Sequence, residues 1–154
     1  MSKPTILFAC IHNSGRSVAA QALARHYGGD AVEVRSAGSE PGSGVNPVVA
    51  QVLAERGLVV DDHTPTKLDW DLVQESDVVI TMGCGETCPV FPGKRYEDWP
   101  VDDPAGQDPD VVRRTVDDID SRVKELLNSL TATWSESAIT SPRRRRSPGR
   151  TGRR

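Results

Sequence analysis

An octapeptide near the amino terminus, CIHNSGRS from Cys10 to Ser17, constrains the fold of this chain more than any other stretch. The residues before Cys10 form a short apolar run (ILFA), which is typical of a buried parallel strand. The residues after Ser17 (VAAQALARHY) favour a helix. The sequence therefore predicts a strand, a tight loop and a helix in direct succession, with a cysteine where the strand ends.

A loop in this position is suited to binding an oxyanion. Its backbone N–H groups can turn inward to form a concave nest, and the following helix adds the positive end of its dipole. Cys10 at the mouth of such a nest is expected to lose its proton more easily than a free thiol. Arg16 offers a two-pronged donor to a tetrahedral anion, and Ser17 can hydrogen-bond the thiolate. The segment predicts an activated sulfur nucleophile that faces a bound oxyanion.

All residues of the octapeptide are predicted to contribute to the oxyanion site: Cys10, Ile11, His12, Asn13, Ser14, Gly15, Arg16 and Ser17. The alternative is a buried structural cysteine that happens to precede a surface arginine. The position between a strand and a helix favours the functional interpretation. Asn13 is expected to hold the turn, because asparagine tolerates the left-handed backbone conformation.

Strand and helix patterns alternate along the rest of the chain. Further strands are predicted at 31–37, 78–81 and 96–101, and further helices begin at Pro47, near Lys67 and at Pro109. With 154 residues, the pattern predicts one α/β domain, a three-layer α/β/α arrangement around a four-stranded parallel sheet. Ligands bind at the carboxyl ends of such strands, and Cys10, Cys84 and Asp103 each follow a predicted strand.

The octapeptide resembles the phosphate-binding loop of the low-molecular-weight tyrosine phosphatases and of the arsenate reductases built on the same fold. Both share the pattern Cys-x-x-Asn-x-x-Arg-Ser, which Cys10, Asn13, Arg16 and Ser17 match position by position. The resemblance covers residues 4–130 and implies a low-molecular-weight phosphatase-like fold. It also implies that Asp103, in an Asp-Pro pair, is the general acid that protonates the leaving oxygen. A turn residue before proline is the alternative interpretation of Asp103.

Two further cysteines, Cys84 and Cys88, favour the reductase branch of the family. Resemblance to thioredoxin-coupled arsenate reductases implies a relay in which Cys10 attacks arsenic, Cys84 attacks Cys10, and Cys88 attacks Cys84. The catalytic residues predicted in this way are Cys10, Arg16, Cys84, Cys88 and Asp103. A metal site or an incidental disulfide is the alternative for the pair. A phosphatase that acts through a phosphocysteine is the alternative function.

The resemblance also implies the partners of the reaction. Arsenate is the expected substrate, with phosphate or sulfate as analogues, and no bound cofactor is expected. Thioredoxin is the expected reductant, with mycothiol and mycoredoxin as the variant. No metal site is predicted, because Gln21 stands where potassium-binding relatives would carry a carboxylate. The three cysteines, the lack of a signal-peptide pattern and the lack of a long apolar run indicate a cytoplasmic protein without membrane contact.

The carboxyl-terminal stretch differs in composition from the rest. Residues 1–130 contain 12 lysines and arginines against 21 aspartates and glutamates, whereas residues 131–154 contain seven arginines and one glutamate. We therefore expect a folded domain at 1–130 and a disordered basic tail at 131–154. Such a tail can contact nucleic acid weakly and without sequence specificity. A solvated extension is the favoured interpretation.

Overall fold

The computed structural model describes residues 3–60, 63–82 and 94–139, with side chains up to residue 130. The described residues form one parallel sheet of four strands in the order β2-β1-β3-β4. The strands are β1 (Thr5–Cys10), β2 (Glu33–Gly38), β3 (Val78–Thr81) and β4 (Arg95–Asp98). The predicted α/β class and the four-stranded parallel sheet are confirmed.

Four α-helices connect or follow the strands: α1 (Arg16–Gly28), α2 (Pro47–Glu55), α3 (Trp70–Glu75) and α4 (Pro109–Ile139). The start of α2 follows directly from its sequence, because the Asn46 side chain accepts the N–H groups of Val48 and Val49 while Pro47 occupies the first turn. The Asp69 side chain caps α3 in the same way. Lys67 pairs with Gly38 instead of beginning this helix, so α3 is shorter than its pattern predicts.

Alternate side chains of β1 enter two separate cores, since successive residues of a strand point to opposite faces. Ile6 and Phe8 belong to the larger core, which includes apolar residues of α1, α2 and α4, and the Trp99 ring packs 5.7 Å from that of Phe8. Leu7 and Ala9 belong to a smaller core with Val73 of α3. The sheet is therefore the middle layer of three.

The register of the sheet positions Cys10 for function. Cys10 is the last residue of β1, an inner strand, and pairs with Gly38 at the end of β2. On the other side, Ala9 pairs with Thr81 at the end of β3. The carboxyl ends of three neighbouring strands therefore meet around Cys10, at the edge where ligands bind in parallel sheets.

The predicted boundary at residue 130 falls inside α4, which continues to Ile139. The helix thus includes 131–139, a segment that the sequence assigned to the tail, while the division into a folded domain and a tail stays a prediction. This segment contains no proline or glycine, so nothing interrupts a helix that is already nucleated, and extension by further residues is favourable. The remainder of the basic tail lies outside the described residues. Among the helices that the structure describes, none has both the length and the apolar character of a membrane span.

Candidate active site

The sulfur of Cys10 is buried and already has two polar neighbours. Cys10 is 2% exposed, and its Sγ lies 2.9 Å from the Oγ of Ser17. The backbone N–H of Asn13 donates to the same sulfur at 3.3 Å. The predicted contact between Ser17 and Cys10 is therefore present, and both neighbours can stabilise negative charge on the sulfur.

Asn13 holds the loop and connects it to a distant segment. Its φ of 52° confirms the predicted left-handed conformation. Its Nδ2 donates to the Ser17 Oγ at 2.8 Å, and its Oδ1 accepts the backbone N–H of Thr66 at 2.9 Å. The His63 Nε2 lies 3.0 Å from the same Oδ1, so this nitrogen is the one that carries a hydrogen. A chain of hydrogen bonds thus runs from His63 through Asn13 and Ser17 to Cys10.

The outward-facing carbonyl groups of the loop are held by the segment 39–46. Backbone N–H groups of this segment donate to four loop carbonyls at 2.7–3.1 Å: Ser39 to Cys10, Glu40 to Ile11, Gly42 to His12 and Asn46 to Ser14. This close approach also needs Gly38, because a Cβ there would lie 2.6 Å from the Ile11 oxygen. With its carbonyls bonded on one side, the loop is left to present N–H groups on the other, as an anion nest requires.

A cavity of about 40 Å³ brings the predicted nucleophile and the predicted acid together. Its lining residues are Cys10, His12, Ser14, Gly15, Arg16, Asn46, Asp103, Pro104 and Ala105. The Arg16 side chain is only 10% exposed, and its Nη2 lies 3.7 Å from Oδ2 of Asp103. The other Asp103 oxygen accepts the Ala105 N–H at 3.0 Å. A sulfur, a guanidinium and a carboxylate thus surround one space large enough only for a small ligand.

The two other predicted catalytic residues, Cys84 and Cys88, lie outside the described residues. The last described residue before them is Met82, whose N–H donates to the Ala9 carbonyl at 2.8 Å. The chain therefore leaves the sheet beside the residue that precedes Cys10.

Two ion pairs on the helices have shifted pKa values. Arg113 of α4 donates hydrogen bonds to both carboxylate oxygens of Glu55 on α2, which lowers the pKa of Glu55 and raises that of Arg113. Asp120 raises the pKa of Lys124 one turn further along α4. These pairs connect or line helices and therefore bear on stability.

The sequence did not single out His63, Thr66 or the segment 39–46 as part of the site. Each contacts the loop across a long stretch of chain, and His63 is 50 residues from Asn13. No local motif marks them, because their contribution is a hydrogen bond to the loop and not a chemical group in the cavity. These contacts become visible only when the fold brings residues that are distant in sequence next to the loop.

A sequence model described as "Low molecular weight phosphotyrosine protein phosphatase" matches residues 5–136. The chain belongs to this family, as its octapeptide predicted, and the nucleophile loop and sheet described above have the arrangement that the resemblance implied.

Within the family, the chain is similar to proteins named arsenate reductase. One from Staphylococcus haemolyticus is 35% identical over 133 residues, covering 84% of this chain and 99% of that protein. One from Bacillus cereus is 40% identical over 129 residues, covering 80% of this chain and 94% of that protein. The structure of a thioredoxin-dependent arsenate reductase from Corynebacterium glutamicum is 46% identical with a TM-score of 0.76, and the match covers 85% of this chain and 63% of that one.

Proposed function

We propose that this chain is an arsenate reductase that converts arsenate to arsenite, with Cys10 as the nucleophile. The observation that carries the proposal is the small cavity in which the sulfur of Cys10, the guanidinium of Arg16 and the carboxylate of Asp103 surround one space. The relatives at 35% and 40% identity are named arsenate reductases, which favours this reaction over hydrolysis of a phosphate ester.

The first step is nucleophilic substitution at arsenic. Arg16 and the loop N–H groups bind three oxygens of arsenate, and the Cys10 thiolate attacks the arsenic atom. One As–O bond breaks, and protonated Asp103 donates its proton so that the oxygen leaves as water. Arsenic stays pentavalent in the resulting covalent adduct with Cys10.

The second step is the reduction, for which two thiolates supply the electrons. The Cys84 thiolate attacks the sulfur of Cys10, the S–As bond breaks, and its electron pair remains on arsenic, which leaves as arsenite. The Cys10–Cys84 disulfide formed in this step is then attacked by Cys88, which frees Cys10 and leaves a Cys84–Cys88 disulfide. The position of Met82 beside Ala9 supports this order, because the chain enters the Cys84 segment next to the nucleophile.

An external thiol must then reduce the last disulfide. The structural neighbour from C. glutamicum is thioredoxin-dependent, which supports thioredoxin as the reductant here, with mycothiol and mycoredoxin as the variant. A relay of free thiols needs a reducing compartment, so we place the enzyme in the cytoplasm.

The test is arsenite formation coupled to NADPH oxidation in the presence of thioredoxin and thioredoxin reductase. Cys84→Ser and Cys88→Ser should each abolish sustained turnover. After a single turnover, Cys88→Ser should contain a Cys10–Cys84 disulfide by mass spectrometry, while the wild-type protein should contain Cys84–Cys88. Replacing thioredoxin by mycothiol and mycoredoxin identifies the reductant.

The alternative, a tyrosine phosphatase with a phosphocysteine intermediate, shares the cavity and the family. It predicts rapid hydrolysis of an aryl phosphate that Cys84→Ser leaves intact. Wild-type protein that shows this hydrolysis and forms no arsenite would contradict the reductase proposal.

A further inference from the structure

The ring of Pro104 lies directly against Gly15 in the middle of the oxyanion loop. A Cβ placed on Gly15 would lie 2.8 Å from Cγ and 3.6 Å from Cδ of Pro104. Real Cβ atoms essentially never approach another atom closer than 3.0 Å. Because Pro104 is a buried ring and not the end of a flexible side chain, any side chain at position 15 must push it away.

The loop side of this contact is not free to move. The carbonyl of Gly15 accepts the N–H of Ala19 at 2.9 Å, and the preceding carbonyl, of Ser14, accepts the N–H of Asn46 at 2.8 Å. A Cβ on Gly15 would also meet the side chain of Val49 at 3.6 Å, on the start of α2. The loop is therefore anchored on both sides of Gly15, and a clash would displace Pro104.

Displacement of Pro104 would move the predicted acid, because Asp103 is bonded to it. The Asp103 carboxylate has two further contacts, Ala105 N–H at 3.0 Å and Arg16 Nη2 at 3.7 Å. The Asp103 side chain is 57% exposed. Its position in the cavity with Cys10 therefore depends on these two contacts and on the position of Pro104.

We infer that Gly15 is a positioning residue: the absence of a side chain at position 15 seats Pro104 and thereby sets the distance of the Asp103 carboxyl from the bound anion. The inference deepens the proposed function, since it concerns the proton transfer assigned there to Asp103. It also assigns Pro104 a role as the spacer between the oxyanion loop and the acid.

The first test compares Gly15→Ala with Gly44→Ala. The added Cβ of Gly44→Ala would meet nothing within 4 Å, and the Gly44 N–H is not one of the four donors that bond the loop carbonyls. Gly15→Ala should lower the kcat for arsenite formation about tenfold or more, since misplacing a reacting group by ~1 Å can cost on the order of 100-fold. It should leave the inhibition constant of phosphate unchanged, because Arg16 and the loop N–H groups stay in place. Gly44→Ala should match the wild-type protein in both.

The second test asks whether the effect passes through Asp103. In an Asp103→Asn background, adding Gly15→Ala should change kcat no further, whereas a general loosening of the site would lower it again. In a Pro104→Ala background the clash is gone, so adding Gly15→Ala should also cost little. An equal loss of kcat in all three backgrounds, or a loss of phosphate binding in place of kcat, would overturn the inference.

Two precautions separate this inference from the proposed function and from folding. Each variant is also assayed for hydrolysis of phenyl phosphate, whose poor leaving group needs the same acid, so the Gly15 comparison stands even if wild-type protein forms no arsenite. If Gly15→Ala does not fold by circular dichroism, the variant Gly15→Ala/Pro104→Ala is compared with Pro104→Ala. Equal kcat supports the inference and a lower kcat contradicts it.

Discussion

The sulfur of Cys10 depends on a hydroxyl that is supplied by its own loop. The Ser17 Oγ lies 2.9 Å from this sulfur and accepts a hydrogen bond from the Asn13 side chain at 2.8 Å. An ionised sulfur can only accept, so the Ser17 hydroxyl donates its hydrogen to a Cys10 thiolate while it accepts from Asn13. The serine is therefore placed to stabilise a thiolate at Cys10, which is the charge that the proposed reaction needs there.

Replacing Ser17 tests this role at the scale of a single residue. Ser17→Ala should lower kcat for arsenite formation about 10- to 100-fold, because a hydrogen bond to a charged group contributes about 1.5–3 kcal/mol. Ser17→Thr keeps the hydroxyl and should retain most of the activity. Steady-state kinetics of both variants provide the measurement, and equal rates for the alanine and threonine variants would contradict the role.

Among the elements, helix α2 connects the oxyanion loop to helix α4. Asn46, which caps α2, donates its N–H to the Ser14 carbonyl of the loop. The last residue of α2, Glu55, pairs with Arg113 of α4 at 2.7 and 3.0 Å. Helix α2 thus contacts the oxyanion loop at its amino-terminal end and the long helix α4 at its carboxyl-terminal end. The ion pair is exposed, so its contribution to stability is modest.

The pH dependence of unfolding tests this connection between elements. Arg113 holds the pKa of Glu55 below its ordinary value of 4.5, so the pair stabilises the fold above that pH and loses its effect as the pH falls through the lowered pKa. The Tm difference between wild-type protein and Glu55→Gln should therefore be small but positive at pH 7 and vanish in acid. Thermal melts between pH 3 and pH 7 measure it.

A double-mutant cycle supplies the control for the ion pair. In an Arg113→Gln background, Glu55→Gln should produce a much smaller pH-dependent difference in Tm, because the main cation that lowers the pKa of Glu55 is gone and only the weaker effect of Arg56 remains. A pH-dependent difference that persists undiminished in this background would show that another group causes the shift.

At the scale of the whole molecule, the described core ends well before the arginine-rich end of the chain. The last buried core residues of the described chain are Leu126 and Leu127, and α4 continues to Ile139 without proline or glycine. The chain after Ile139 carries seven arginines, and its charge is opposite in sign to that of residues 1–130. We therefore expect it to contribute neither to the core nor to the cavity.

Truncation tests that separation. A chain that stops after Ile139 should keep the Tm and the kcat of the full chain, because every buried core residue named above is retained. Melting curves and arsenite formation at matched salt concentration are the measurements. A drop in kcat on truncation would assign the tail a role in the reaction, and a drop in Tm would show that it packs on the domain.

Much of the fold was predictable because its signals are local. A few consecutive residues are enough to predict three features: the apolar run of β1, the start of α2 at Asn46-Pro47 and the start of α4 at Pro109. The extension of α4 beyond residue 130 was not predictable, because a helix can continue through sequence of weak helix propensity once it is nucleated. The start of α3 was also not predictable, because Lys67 forms a β-bridge with Gly38, a residue far away in sequence.

The sequence by itself determined which side chains the oxyanion loop carries, because the proposed nucleophile Cys10, Arg16 and Ser17 lie within eight consecutive residues. Only the tertiary structure decided which distant groups support that loop: Thr66 and His63 on Asn13, the segment 39–46 on the loop carbonyls, and Pro104 on Gly15. These contacts arise where strand ends and crossing segments meet, and the energy of each depends on the packing of both partners. The residues that neighbour each partner in the sequence therefore do not predict such a contact.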